Sequence, residues 1–296
     1  MKFSYLHLKE IINKNLSSIK NKINISFEFF PTKNKKKKKI LYESINVLKY
    51  FKPKFLSVTY GANSGEKDLT FETVTRIKKK TKLNVAPHIT CIDLKKHEII
   101  NLLQKYWKNG IKNIIALRGD LPAKKNNNSI MYAVDLVKII KETADFDISV
   151  AAYPEVHPQA KNKNFDLINL KKKIDAGANR AITQFFFDIK SFLKFRDNCV
   201  SNNINVDIIP GILPIYNFQQ VKKFSNITNV KIPSWIYKIF NKLDENDKFS
   251  YDILSSYIII DMIKILSYEG VKHFHFYTLN KHKVISVICK NFINKY

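Results

Sequence analysis

Short apolar runs alternate with longer segments of helical period along almost the whole chain, and nothing else in the sequence constrains the fold as tightly. The runs are Ile23–Phe30, Phe55–Tyr60, Asn84–Thr90, Asn113–Leu117, Ile148–Tyr153, Arg180–Phe185, Val206–Gly211 and His273–Tyr277. Apolar residues recur at helical spacing over Ile40–Phe51, Thr70–Thr81, Lys95–Asn109, Ala133–Ala144, Leu167–Ala176, Ile189–Asn202, Asn217–Asn226 and Tyr251–Glu269. Such periods separate strands from helices. Several helical segments run into glycine, at Asn109-Gly110, Ala176-Gly177 and Glu269-Gly270, as a left-handed C-terminal cap requires. Eight βα units in 296 residues match the count and length of a (β/α)8 TIM barrel in an α/β single domain. The competing architecture is an open doubly wound sheet. That fold usually carries a Gly-rich phosphate turn after its first strand, and none is present.

A barrel makes a prediction about where function sits. Catalytic side chains gather where strands end, on the C-terminal face. The first strand carries Glu28 among Phe27, Phe29 and Phe30. Two readings stand side by side there. An edge-strand glutamate points into water; a buried one resists ionisation, so its pKa rises and it becomes a general acid. The other strand ends carry Thr59-Tyr60-Gly61-Ala62-Asn63, His88-Ile89-Thr90, Arg118-Gly119-Asp120, Tyr153-Pro154-Glu155-Val156-His157, Gln184 and Tyr277-Thr278-Leu279-Asn280. Polar groups at so many matching places form one rim.

Composition removes several alternatives. The net charge of +26 suggests a polyanion partner. However, only four of the 51 basic residues are arginine, the residue nucleic-acid interfaces favour. Lysine, asparagine and isoleucine all have AT-rich codons, and their joint excess reads as compositional drift. No nucleic-acid role is expected. The run Lys35–Lys39 reads as a solvated loop or first helical turn. Cys91, Cys199 and Cys289 are too scattered for a disulfide framework and fit a reducing cytoplasm. Residues 1–20 read as a short helix interrupted by charge, not a signal peptide. Tyr251–Leu266 is broken by Asp252, Asp261 and Lys264, so it is an amphipathic helix and no membrane span.

His88 and His157 lack a third ligand at metal spacing, so no metal is expected. In Arg118-Gly119-Asp120, glycine lets a flat ligand approach the backbone, arginine suits a phosphate and aspartate a heterocycle edge. A surface loop with an internal ion pair is the plainer alternative. Asp166, Asn169, Lys172 and Lys173 recur at helical spacing, facing either an anionic or ribosyl group or solvent. Phe185-Phe186-Phe187 reads as core plus a hydrophobic lip. A Schiff-base lysine, a Ser/His/Asp pattern and a P-loop are not evident.

Six motifs together resemble the bacterial methylenetetrahydrofolate reductase family: Ser26-Phe27-Glu28-Phe29-Phe30-Pro31, Ser57-Val58-Thr59-Tyr60-Gly61-Ala62, Ala86-Pro87-His88-Ile89-Thr90-Cys91, Ala116-Leu117-Arg118-Gly119-Asp120, Tyr153-Pro154-Glu155-Val156-His157-Pro158 and Ile182-Thr183-Gln184-Phe185-Phe186-Phe187-Asp188. Pro210-Gly211-Ile212-Leu213-Pro214 and His275-Phe276-Tyr277-Thr278-Leu279-Asn280 add to the likeness, which covers about residues 20–285. The resemblance implies a (β/α)8 barrel that binds FAD and reduces 5,10-methylenetetrahydrofolate to 5-methyltetrahydrofolate with NADH in ping-pong fashion, for methionine synthesis. It implies a homotetramer, and a chain ending after the barrel without the regulatory domain of eukaryotic relatives.

Residue by residue, it makes Glu28 the catalytic acid and Asp120 a carboxylate beside flavin and pterin. Thr59 matches an NADH contact, and Gln184 one shared by NADH and folate. Tyr60, Ala62, His88, Arg118, Gly119, Ala133, Tyr153, His157, Ala160, Asp166, Asn169, Lys172 and Lys173 match FAD-contacting positions. Gln220 and Phe224 match a polar folate contact and a stacking aromatic. Two departures stand out. The loop Leu121–Asn128 lacks the family's Gly/Pro character and reads as a solvent loop. Lys281 stands where the family often has arginine facing the folate's glutamate carboxylates; it keeps the charge but loses the bidentate fork.

Overall fold

Eight parallel strands close on themselves in sequence order, so that β8 pairs with β1. The computed structural model describes residues 23–60, 67–92, 94–119 and 131–292. The strands are β1 (Asn24–Phe29), β2 (Phe55–Val58), β3 (Val85–Thr90), β4 (Asn113–Leu117), β5 (Asp147–Ala152), β6 (Arg180–Phe185), β7 (Asp207–Ile212) and β8 (His273–Tyr277). The described helices are α1 (Lys35–Leu48), α2 (Lys67–Thr81), α3 (Lys96–Lys108), α4 (Ala133–Thr143), α5 (Lys163–Asp175), α6 (Ile189–Ser201), α7 (Phe218–Thr228), α8 (Ser234–Phe240), α9 (Lys248–Tyr268) and α10 (Lys283–Phe292). The TIM barrel expected from the sequence is therefore present. The expected N-terminal helix lies outside the described residues, as does the loop Leu121–Asn128.

Strand residues alternate between two cores. Ile25, Phe27 and Phe29 of β1 turn outward into the large core shared with the helices. Phe55, Ala86, Ile115, Ile182 and Ile209 turn inward and pack the barrel interior. Burial of each of the large side chains contributes about 1.5–3 kcal/mol. A third cluster gathers above the barrel from Phe185, Phe187, Leu213, Ile215, Phe218, Val221, Phe240 and Tyr251. It unites the β6 and β7 ends with α7, α8 and α9. Phe186 joins the main core instead; all three phenylalanines of that run are buried, and Phe185 also lines the cavity at the barrel mouth.

Local chemistry explains the helix ends. The side chains of Asn34, Asn162, Asp188, Asn217 and Asp247 each accept a first-turn backbone N–H. Gly110, Gly177 and Gly270 hold positive φ after their helices, as the sequence predicted. Three expectations need correction. α1 starts at Lys35 and not Ile40, because Asn34 caps it and the lysine run forms its first turn. α8 was not expected; its seven residues are too few to display a period. α10 was not expected either, although it buries Val284, Ile285, Ile288, Cys289 and Phe292. No helix among the described residues is long and apolar enough to cross a membrane.

Candidate active site at the C-terminal mouth

Glu28 stands near the top of β1 with its carboxylate inside the barrel, 6% exposed. Its backbone is clasped from β8. Thr278 Oγ1 donates to the Glu28 carbonyl at 2.5 Å. The Asn280 side chain accepts from Phe30 N at 2.9 Å and donates to Phe30 O at 2.8 Å. Leu279 and Asn280 hold left-handed φ values of 49° and 58° to make this possible. The Thr-Leu-Asn motif is thus a buckle that fixes the end of β1.

Two histidine rings aim at the carboxylate. His88 Nε2 from β3 lies 3.3 Å from Glu28 Oε2, and His275 Nε2 from β8 lies 3.7 Å from the same oxygen. Neither ring nitrogen has another partner. This arrangement reverses the expected direction of the Glu28 pKa. Burial pulls it upward and is the largest single influence. The charge of His88 and donation from both rings outweigh it together, and hold Glu28 down at about 2. His88 and His275 therefore favour the carboxylate form of Glu28. Burial conversely lowers the His275 pKa, against the pull of Glu28.

A cavity of about 340 Å³ opens above Glu28. Glu28, Thr59, His88, Tyr153, Gln184 and Phe224 all line it, with apolar walls from Ile115, Leu117, Ile182 and Leu213. Gln184 Oε1 accepts the following backbone N–H of Phe185 at 3.0 Å. Gln220 sits exposed on the first turn of α7, outside the cavity wall. Lys281 lies away from the cavity floor, its Nζ 4.5 Å over the Tyr216 ring. Its pKa is lowered by burial, while Asp252 pulls it up.

The remaining expected residues line the rim above β4 and β5. Arg118 Nη2 donates to Gln159 Oε1 at 2.5 Å, and its Nε to Gly119 O at 3.1 Å. Gly119 has φ +92, and an added Cβ would fall 2.9 Å from Ile92 Cγ2. Its glycine serves the backbone turn as well as any close ligand approach. The ring centroids of Tyr153 and His157 lie 4.6 Å apart, edge to face. His157 N donates to Asp166 Oδ2 at 2.9 Å, and Ala160 N to His157 O at 2.9 Å. Between them Val156 holds φ +78, a strained state for a β-branched residue. Glu155 anchors this loop by accepting Lys231 N at 3.0 Å.

On α5, Asp166, Asn169 and Lys173 share one face by helical geometry, while Lys172 is exposed further round. Lys173 Nζ donates to Ala151 O at 2.6 Å, and burial lowers its pKa to about 8. Burial raises the Asp166 pKa. Ala133 opens α4, beside the Tyr132 N–H held by Asp135 at 3.0 Å. Thr59 is tied to the end of β1 through its N–H to Phe29 O at 3.0 Å. Tyr60 follows it at the end of the described β2 segment. Ala62 and Asp120 lie outside the described residues. No group of metal-ligating side chains occurs among the described residues.

Sequence reasoning placed Tyr277 on the rim without a role, and gave no role to His275 or Ser26. Tyr277 lines the cavity and donates to Thr183 O at 2.7 Å. Ser26 lies below Glu28, bonded to His275. The signal was available in the alternation His273-Phe274-His275-Phe276-Tyr277, which puts three polar rings on one strand face.

Comparison with known proteins agrees with this picture. A family model described as methylenetetrahydrofolate reductase matches residues 12–293. A 5,10-methylenetetrahydrofolate reductase of Buchnera aphidicola (from Schizaphis graminum) is 56% identical over 99% of this chain and 99% of its own. That of Escherichia coli is 54% identical over 98% and 97%. The Arabidopsis thaliana protein named methylenetetrahydrofolate reductase (NADH) 1 is 33% identical, over 87% of this chain and 46% of its own. Among solved structures, an uncharacterized Clostridium thermocellum protein described as binding two copies of 5-methyltetrahydrofolic acid aligns with TM-score 0.62 and 14% identity. The alignment covers 95% of this chain and 98% of that one, and shows a shared fold.

Proposed function

This chain belongs to the methylenetetrahydrofolate reductase family, whose reaction turns methylenetetrahydrofolate into methyltetrahydrofolate, and we propose that it does so with FAD as bound cofactor and NADH as electron donor. The observation that carries the reading is Glu28, a buried carboxylate on the cavity floor between His88 and His275.

The rim fits a flavin dinucleotide. Arg118, Lys172 and Lys173 offer cations for its pyrophosphate, and Asp166 and Asn169 offer polar contacts for its ribosyl part. The α4 N-terminus at Ala133 adds backbone N–H groups. The apolar walls at Leu117 and Ile115, with His88 and Tyr153 beside them, suit a flat tricyclic ring, and Tyr60, His157 and Ala160 match further flavin positions of the family. Ala62, Gly119 and Asp120 complete the family's set. When bound, the flavin supplies two-electron transfer between nicotinamide and folate.

The chain's own residues perform the rest. Thr59 and Gln184 orient the nicotinamide, and Gln184 and Phe224 then hold the pterin in the same cavity. Shared occupancy dictates alternate binding, hence ping-pong kinetics. Gln220 and Lys281 bind the folate beyond the pterin. Glu28 delivers the proton that opens the folate's five-membered ring at N10. Asp120 stabilises the resulting cation. With His88 and His275 favouring its carboxylate form, Glu28 needs a source for the proton it delivers. The setting is the cytoplasm, the role is methyl supply for methionine synthesis, and the working form is a homotetramer.

Purified protein is expected to be yellow, bleached by NADH and recoloured by methylenetetrahydrofolate. Glu28→Gln should still bleach with NADH and fail to recolour. Loss of both responses in a folded variant would show Glu28 to be structural.

A further inference from the structure

Four polar side chains stand in single file along β8 and β1. Their order follows from the pairing register, in which Asn24 faces His273, Ser26 faces His275 and Glu28 faces Tyr277. His275 Nδ1 lies 2.7 Å from Ser26 Oγ. His273 Nε2 lies 3.0 Å from the same oxygen. Above, His275 Nε2 points at Glu28 Oε2 across 3.7 Å. Below, His273 is partly exposed at the N-terminal end of β8. The row therefore runs from the cavity floor to the opposite mouth of the barrel. Barrel interiors are normally closed by packed branched side chains. Here that packing occupies the β2–β4 and β6–β7 side, through Phe55, Ala86, Ile115, Ile182 and Ile209. The Phe55 ring lies against both histidines, at 5.7 Å from His275 and 5.9 Å from His273.

We propose that this row is a proton path that resupplies Glu28 from the N-terminal mouth, with His273 as its port. The inference rests on the folate-reduction reading above. That conversion consumes methylenetetrahydrofolate, a reduced nicotinamide and one proton, and yields methyltetrahydrofolate and the oxidised nicotinamide. A C–H bond forms, the bond from the methylene carbon to N10 breaks, and N10 keeps the proton. The proton is required when folate covers the C-terminal mouth, so a route from behind avoids the substrate. In the receiving state His275 gives its Nε2 proton to Glu28 and takes the Ser26 hydroxyl proton at Nδ1. Ser26 is refilled from His273 Nε2, and His273 takes a proton from water at Nδ1. After product leaves, His275 Nε2 takes a proton from cavity water, the His275 Nδ1 proton passes down the row through Ser26 to His273 Nε2, and His273 Nδ1 releases one to solvent, which restores the first tautomers.

The surroundings suit a relay of neutral groups. His273 is faced by His275 on its own strand, Ser26 on β1, Lys54 and Phe55 at the start of β2, and Arg180 on β6. Arg180 is itself paired with Asp147 of β5 at 2.8 Å. Burial first, then His275, Arg180 and Lys54, hold the His273 pKa down at about 3. A neutral imidazole keeps one donor and one acceptor nitrogen, which a proton relay needs.

Stopped-flow measurement on the flavin-loaded enzyme separates the two half-reactions. Nicotinamide oxidation draws no proton through the row and serves as internal control. In His273→Gln the folate half-reaction should slow about tenfold or more, with a larger solvent deuterium isotope effect. Ser26→Ala should do the same, and imidazole should restore His273→Ala. Independently of turnover, Ser26→Ala should shift the ring-nitrogen NMR signals of both His273 and His275. A folded His273→Gln with unchanged folate rate and isotope effect overturns the path, and Ser26→Ala decides the matter if His273→Gln does not fold. If the wild type shows neither half-reaction, the folate reading itself fails, and the path with it.

Discussion

Glu28 shows how a residue's neighbours decide its chemistry. Folded Glu28 ionises near 2 against 4.5 when unfolded, so its contacts stabilise the fold above about pH 4.5 and are lost as pH falls towards 2. Folded His273 stays neutral down to about 3 against 6.5 when unfolded. Between those values the unfolded chain binds the extra proton, so stability again drops as pH falls. Urea midpoints should therefore decline from pH 6.5 to 3, and His273→Asn should flatten that slope; an unaltered slope would contradict the assignment. Lys281 is the other residue with a specific consequence. Its ammonium sits over Tyr216 and near Asp252 and lacks a bidentate fork. Lys281→Arg should lower the folate KM, and an unchanged KM would refute the idea. Glu28 was visible from sequence as an anomaly. The direction of its pKa was not, because His88 and His275 approach it from 60 and 247 residues away.

Among elements, the meeting of β6, β7 and β8 is the most tightly determined. Tyr277 lies across Gly211, whose N–H donates to Thr183 Oγ1 at 2.9 Å. A Cβ at Gly211 would overlap the Thr183 carbonyl oxygen and come within 2.6 Å of the Tyr277 ring. The obstacle is backbone and cannot swing aside. Gly211→Ala should therefore destabilise by about 3 kcal/mol, as overpacking does, and displace Tyr277 from the cavity wall. Equilibrium urea unfolding measures the first effect; a loss below 1 kcal/mol would mean the strands can spread apart. The strands and most helices were legible because their periods are local and their ends carry Asn, Asp and Gly caps. α8 escaped notice because seven residues show no period. It is held by the cluster around Phe218 and Tyr251, which only tertiary packing assembles.

At the scale of the whole molecule, the chain carries a net charge of +26, while the candidate site lies at one end of the barrel. If lysine excess is drift, random duplex DNA should bind only weakly and be released by about 0.2 M salt, as non-specific phosphate contacts are. Tight binding that persists at higher salt would point to a real polyanion surface. The sequence by itself determined the repeating unit and the closed α/β class, and it put Glu28, Thr59, His88, Tyr153 and Gln184 at strand ends, because alternation along a strand and caps at a helix are set by near neighbours. It also carried the family motifs. Only the tertiary structure decided what Glu28 meets. Closure of β8 on β1 brings His275 and Ser26 together across 249 residues, converts an expected high-pKa acid into a carboxylate between two rings, and lines up the polar row below it. Pairing across that separation depends on strand order and register, which no local pattern encodes.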